Sequence, residues 1–158
     1  MIDFKNTLAL RGYGLLKIPL LFIVQPTVVS LTPDACEVRI PLNYWTRNHL
    51  KSMYFGTLAI GADCSGGVLA LKNIEELSKG KKVGLIFKDF QANFKKRAEA
   101  DVHFHCKDGP AIRKILQKTL KTGERVDTPL KIWATTPKIS GDEKVAEFIL
   151  TLSLKAGR

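Results

Sequence analysis

The stretch from Ser52 to Leu71 carries one charged side chain, Asp63, and is flanked by Lys51 and Lys72. Apolar residues fall on every face of a helix drawn through it, so it is not an ordinary surface helix with one wet side. A run of about 20 such residues is also long enough to cross a bilayer. Gly56, Gly61, Gly66 and Gly67 lower its hydrophobicity, however, and Asp63 would sit near the bilayer centre at considerable cost. The rest of the chain alternates apolar and polar residues as sheet does, and such a sheet needs something to cover. The stretch is therefore expected as a helix buried inside a domain. Each glycine costs a helix about 1 kcal/mol. Close approach of another backbone, from the enclosing sheet or from a second subunit, would compensate.

The flanking segments supply the sheet. Phe4 to Leu16 is expected as a short helix, weakened by Gly12 and Gly14. Phe22–Leu31 is expected as a strand, with Pro26 marking an edge or a bulge. Cys36, Val38, Ile40 and Leu42 alternate with Glu37 and Arg39, the period of a half-buried strand. Val83, Leu85 and Phe87 share one phase and Phe90, Ala92 and Phe94 the other. The switch near Lys88–Asp89 predicts a bulge in a long bent strand. Val102, Phe104 and Cys106 point one way; Asp101, His103 and His105 point the other. Asp108-Gly109-Pro110 opens a short basic helix that Gly123 closes. Val126, Thr128, Leu130 and Ile132 predict one more inner strand face, and Ala146, Phe148, Leu150, Leu152 and Leu154 another. Six strands and one all-apolar helix predict an α+β fold with the sheet curled around the helix. No repeat or linker divides the chain, so 1–158 is expected as one domain with residues 1–18 as a helical extension.

Charge and cysteine usage narrow the partners. The chain of 158 residues has a formal net charge of +10, which favours nucleic acid, an acidic membrane surface or a phosphorylated ligand such as coenzyme A. Few aromatic residues are interleaved with the Lys and Arg clusters, so a stacking platform for nucleic acid is not expected. Cys36, Cys64 and Cys106 are odd in number and form no Cys-x-x-Cys. A disulfide framework or zinc ribbon is not expected, and a reducing, cytoplasmic setting fits. The apolar run Leu15–Leu31 is interrupted by Lys17, Pro19, Gln25 and Pro26, unlike a signal peptide. His103 and His105 share a strand face, but no third ligand accompanies them, so no metal is expected.

Three strings carry a family resemblance. The first is Asn48-His49-Leu50-Lys51-Ser52-Met53-Tyr54-Phe55-Gly56, followed by Gly61-Ala62-Asp63. The second is Asn93-Phe94-Lys95-Lys96-Arg97-Ala98, then Asp101-Val102. The third is Lys144-Val145-Ala146-Glu147. Their order and spacing resemble the hotdog acyl-CoA thioesterase superfamily, in the branch that includes the phenylacetate-pathway thioesterases and uncharacterised hotdog proteins. There an Asn or Gln precedes a His-Gly-Gly at the start of the central helix, with Leu-Ala-Asp or Leu-Ala-Glu further on. Asn48, Gly56, Ala62 and Asp63 agree with that pattern; Tyr54 replaces the His and Phe55 the first Gly.

The resemblance implies a hotdog fold and a thioesterase chemistry with CoA as part of the substrate and no separate cofactor. Asp63 would be the nucleophile or general base. Backbone N–H groups at Phe55 and Gly56 would polarise the thioester carbonyl, aided by the helix dipole. Asn48 would orient the thioester or the water, and Tyr54 would donate a hydrogen bond. Ser65 would hold a water. Lys95, Lys96 and Arg97 would meet the CoA phosphates, joined by Lys88 and Arg113. Phe55 and Asp63 are eight residues apart, roughly 12 Å along a helix. One carbonyl cannot touch both in one chain, so the chemistry implies a homodimer; the superfamily also forms tetramers. The alternative is a non-catalytic acyl-CoA or fatty-acyl-binding protein. A lone Asp in a buried helix is also known as a purely structural polar group, hydrogen-bonded across an interface. Cys64, without a nearby His to activate it, is expected as inert packing.

Overall fold

In the first structured segment a Pro-initiated break, not a strand, follows the N-terminal helix. The structure, a computed structural model, describes residues 2–157, so Met1 and Arg158 of the expected domain lie outside the described residues. Helix α1 (Phe4–Lys17) starts at Asp3, whose carboxylate accepts the Asn6 N–H at 3.1 Å. Pro19 occupies the first turn of a second short helix, α2 (Pro19–Ile23), where its missing N–H costs nothing. The expected strand Phe22–Leu31 is thereby corrected. Phe22 and Ile23 are helical, Gln25 turns the chain at φ 53°, and β1 begins only at Thr27 (Thr27–Leu31). The Arg11 guanidinium ties α1 to this turn by donating to Pro26 O at 2.9 Å and Thr27 Oγ1 at 3.1 Å.

The remaining strands are β2 (Cys36–Ile40), β3 (Val83–Phe94), β4 (Val102–Cys106), β5 (Val126–Thr135) and β6 (Lys144–Ala156). They form one antiparallel sheet in the order β1-β2-β4-β5-β6-β3. Inner and outer faces follow the sequence alternation: Val102, Phe104 and Cys106 are buried, while His103 and His105 face outward. The phase switch in β3 is a register shift between Phe87 and Phe90 opposite β6. Asp89 holds it by accepting the Thr151 N–H at 3.1 Å and the Thr151 hydroxyl at 2.8 Å. A second irregularity lies between Val28 and Ser30 of β1.

The central helix α3 (Phe55–Leu77) begins three residues later and ends six residues further on than the apolar stretch predicts. Lys72 does not end it, because an ion pair to Glu76 at 3.1 Å continues the helix as an i, i+4 contact. Leu58, Ala62, Leu69 and Ala70 face the sheet; Phe55 and Leu71 are exposed. One chain thus encloses one side of α3, where the sequence predicted enclosure all round. Gly61 exists because a Cβ there would overlap the Phe104 ring, and Gly66 faces Leu130 and Ile132. The close neighbours are side chains of the sheet, which corrects the expected backbone approach. Helix α4 (Gly109–Thr122) fulfils the expected basic helix and ends at Gly123 with φ 73°. Arg113 pins it by donating to Pro33 O at 2.7 Å and Asp34 Oδ1 at 2.5 Å. A four-residue turn of helix, α5 (Pro137–Ser140), separates β5 from β6 and was not expected.

Candidate active site

Two cavities divide the residues that the sequence groups together. The first opens at the N-terminus of α3. Its volume is about 390 Å³, and its walls include Asn48, His49, Tyr54, Phe55, Phe94, Lys96 and Arg97. The loop before the helix is built by Asn48. Its Oδ1 accepts from the N–H of Leu50 at 2.9 Å and of Ser52 at 3.2 Å, and its Nδ2 donates to Ser52 Oγ at 3.1 Å. The Asn48 amide is thus engaged inside the loop, with Lys51 at φ 63° completing the turn. Backbone bonds from Met53 N–H to Ala98 O and from Tyr54 N–H to Thr46 O, both 2.8 Å, fix the approach to the helix.

No side chain caps α3, so its first N–H groups remain available at the positive end of the dipole. Tyr54 is extended at the cap position and its ring lies over Gly56, close enough that any Cβ there would meet Tyr54 Cε1 at 2.6 Å. Tyr54 and Phe55 pack ring to ring at 4.7 Å. Two aromatic rings therefore roof the place where the resembling pattern has His and Gly.

The basic run splits. The N–H groups of Lys95 and Lys96 both reach Val145 O, a bulge that sends the two side chains apart. Lys95 pairs with Glu147 at 2.6 Å and does not line this cavity; Lys96 does, and also pairs with Glu143 at 2.5 Å. Arg97 lines the cavity and has no ion pair among the described residues. Lys88 pairs with Asp127 at 2.6 Å, and Arg113 clamps α4 to the β1–β2 turn, so neither joins this cavity.

The second cavity is an apolar groove of about 480 Å³ between α1, α3 and β3. Asp63 lies in it, half-buried, with Leu10, Tyr13, Ile18, Leu71, Leu85 and Phe87 around it. No hydrogen bond or ion pair to the Asp63 carboxyl occurs among the described residues. Burial without a compensating partner raises its pKa above the ordinary 3.8. Ser65, expected to hold a water, is fully buried and donates to Ala62 O at 3.1 Å instead. Cys64 is buried, and desolvation pushes its thiol pKa up and disfavours the thiolate. His103 bonds Glu37 at 2.6 Å and His105 bonds Thr135 at 3.0 Å; no metal-holding cluster occurs among the described residues.

The two cavities share no lining residue within one chain. The wall that α1 gives to the Asp63 groove went unrecognised in the sequence. Leu10 and Tyr13, three apart on one helix face, were the available signal, but nothing in the sequence tied that face to Asp63. His49, at the mouth of the first cavity, was also given no role.

Comparison with known proteins places this geometry in a family. The model of a domain of unknown function, DUF4442, matches residues 9–146. The chain belongs to the DUF4442 family. The match spans both cavities, from the α1 wall of the Asp63 groove to the start of β6. None of the curated proteins matches the sequence. Solved structures do resemble this DUF4442 chain. One is a Pseudomonas aeruginosa protein of unknown function described as a probable thioesterase, at TM-score 0.78 and 24% identity, with 96% of each chain covered. Another is a thioesterase from Haemophilus influenzae, at TM-score 0.62 and 17% identity, covering 86% of this chain and 82% of the other. A third is a mutant thioesterase from P. aeruginosa, at TM-score 0.69 and 9% identity, covering 96% and 94%. These likenesses show the hotdog fold for this DUF4442 member. Among the described residues no helix is long and apolar enough to cross a membrane.

Proposed function

We propose that this chain hydrolyses an acyl-CoA thioester at a site assembled from two copies. The observation that carries the reading is the half-buried carboxyl of Asp63, unpartnered among the described residues, in an apolar groove of about 480 Å³. Asp63 acts as nucleophile or as base for a water. The N–H groups of Phe55 and Gly56 from the partner copy receive the developing oxyanion. In the direct route water adds to the carbonyl as Asp63 takes its proton, the C–S bond breaks, and Asp63 returns the proton to the leaving thiolate, giving a carboxylic acid and the free CoA thiol. Lys96 and Arg97, beside the helix N-terminus, hold the CoA phosphates, and Lys95 remains on Glu147. Asn48 keeps the loop in register and Tyr54 roofs it. Self-association has a ready surface in β3, an edge strand of 12 residues that exposes Ile86, Phe90 and Phe94.

The test is thiol release from a panel of acyl-CoA esters of increasing chain length. Turnover of at least one ester, abolished by Asp63→Asn in a variant with unchanged circular dichroism, is the expected result. An inert panel, or turnover that survives Asp63→Asn, removes the reading. The Tyr54 ring over Gly56 favours a second reading, an acyl-CoA or fatty-acyl binder without chemistry. It predicts ligand binding that survives Asp63→Asn with no thiol released.

A further inference from the structure

Helix α1 presents its most apolar stripe to solvent. At about 100° per residue, Phe4, Leu8 and Leu15 fall within an arc of about 40°. These three are 82%, 73% and 56% exposed, and Leu16 beside them is 79% exposed. The stripe is separate from the side that α1 turns to the protein, which carries Thr7, the buried Gly14 and the groove-lining Leu10 and Tyr13. The stripe continues onto α2, where Leu20 and Phe22 are more than two-fifths exposed. An apolar surface of this continuity marks a place where something docks.

The charge pattern says what. From Phe4 to Pro33 the chain contains Lys5, Arg11 and Lys17 and no acidic residue, on a protein of net charge +10. Two copies meeting through this face about a twofold axis would bring the flanking Lys5 of each into one seam and add to the repulsion between two strongly positive chains. An anionic phospholipid surface would accept the leucines with Lys5 at their flank and attract the positive segment as a whole, Lys17 included. The same helices wall the Asp63 groove through Leu10, Tyr13 and Ile18, so the surface and the groove adjoin.

We propose that α1 and α2 form an interfacial anchor that seats the protein on an anionic bilayer, with the apolar stripe in the headgroup–acyl boundary. The proposal needs no hydrolysis and stands apart from the thioesterase reading. It is tested by cosedimentation of the full chain with vesicles of phosphatidylcholine alone and of phosphatidylcholine mixed with phosphatidylglycerol. Binding to the mixed vesicles is expected to exceed binding to the neutral ones and to fall with added salt. L8D/L15D, at exposed positions outside both cavities, is expected to lower that binding by roughly tenfold or more with thermal stability unchanged. K5E/K17E is expected to remove the preference for the anionic vesicles. Circular dichroism and thermal melting should be the same in all three proteins, which separates loss of docking from loss of the fold. Absence of vesicle binding, or binding indifferent to L8D/L15D and to K5E/K17E, overturns the proposal. So does a wild-type oligomer that L8D/L15D dissociates, since the stripe would then be covered by a second copy.

Discussion

Asp63 is the only charged residue between Lys51 and Lys72, and its environment sets two pH-dependent expectations. Desolvation raises its pKa above 3.8, so the ionised form needed for a base or nucleophile appears only at higher pH. The acid limb of a kcat/KM profile should therefore lie above the ordinary carboxylate value. A limb at or below 3.8 would mean that Asp63 is not the group being titrated. The same shift has a stability sign. A carboxyl whose pKa is higher folded than unfolded contributes stability below its unfolded pKa and loses it as pH rises through the folded value. Asp63→Asn removes that loss, so its melting temperature should exceed the wild type's at pH 7, with the advantage vanishing below 3.8. A variant less stable than wild type at pH 7 would point to a structural partner for Asp63. Arg97 offers a test of the nucleotide end. Arg97→Ala should raise KM for a CoA ester by roughly tenfold. It should leave KM unchanged for a thioester cut back to lack the phosphates. These residues were legible to different degrees. Asp63 stood out because nothing else in its segment is charged. The division of Lys95 from Lys96 and Arg97 was not legible, since it depends on two adjacent N–H groups sharing Val145 O.

At the scale of elements, period-two alternation carried the sheet. The outward His103 and His105, the inward Phe104 and the break at Lys88–Asp89 were readable because one sheet face is buried and a one-residue slip would reverse it. The α1–α2 break was not readable, because apolar residues from Ile18 to Val24 suit a short helix and a strand equally and Pro19 decides by starting a turn. The ends of α3 were misplaced because hydrophobicity marks burial, and the helix outlasts its buried part through Lys72 and Glu76. Its glycines make a definite prediction. Gly61→Ala puts a methyl into the Phe104 ring and should cost about 1–3 kcal/mol. Gly67→Ala meets only Phe87 Cε2 at 3.9 Å and should be neutral or stabilising through helix propensity. Chemical denaturation of the two variants checks the contrast; equal effects would show that Phe104 moves aside freely.

For the whole molecule, the decisive relation is between two cavities that one chain keeps apart. The α3 N-terminus, with Tyr54, Phe55, Lys96 and Arg97, and the groove with Asp63 lie on separate parts of one helix and sheet. A helix rises about 1.5 Å per residue, so no rotamer brings the two together within a chain. The half-open α3 and the exposed β3 edge leave room for a second copy to join them. Subunit complementation tests this most directly. Phe55→Pro deletes one oxyanion donor at a helix position that tolerates proline, and Asp63→Asn deletes the carboxylate. Each variant alone should be inactive. Unfolded and refolded together, they should recover about a quarter of wild-type turnover, because half the dimers are mixed and each mixed dimer carries one intact site of two. A mixture that forms mixed dimers yet stays inactive would place the chemistry within one chain and contradict the account.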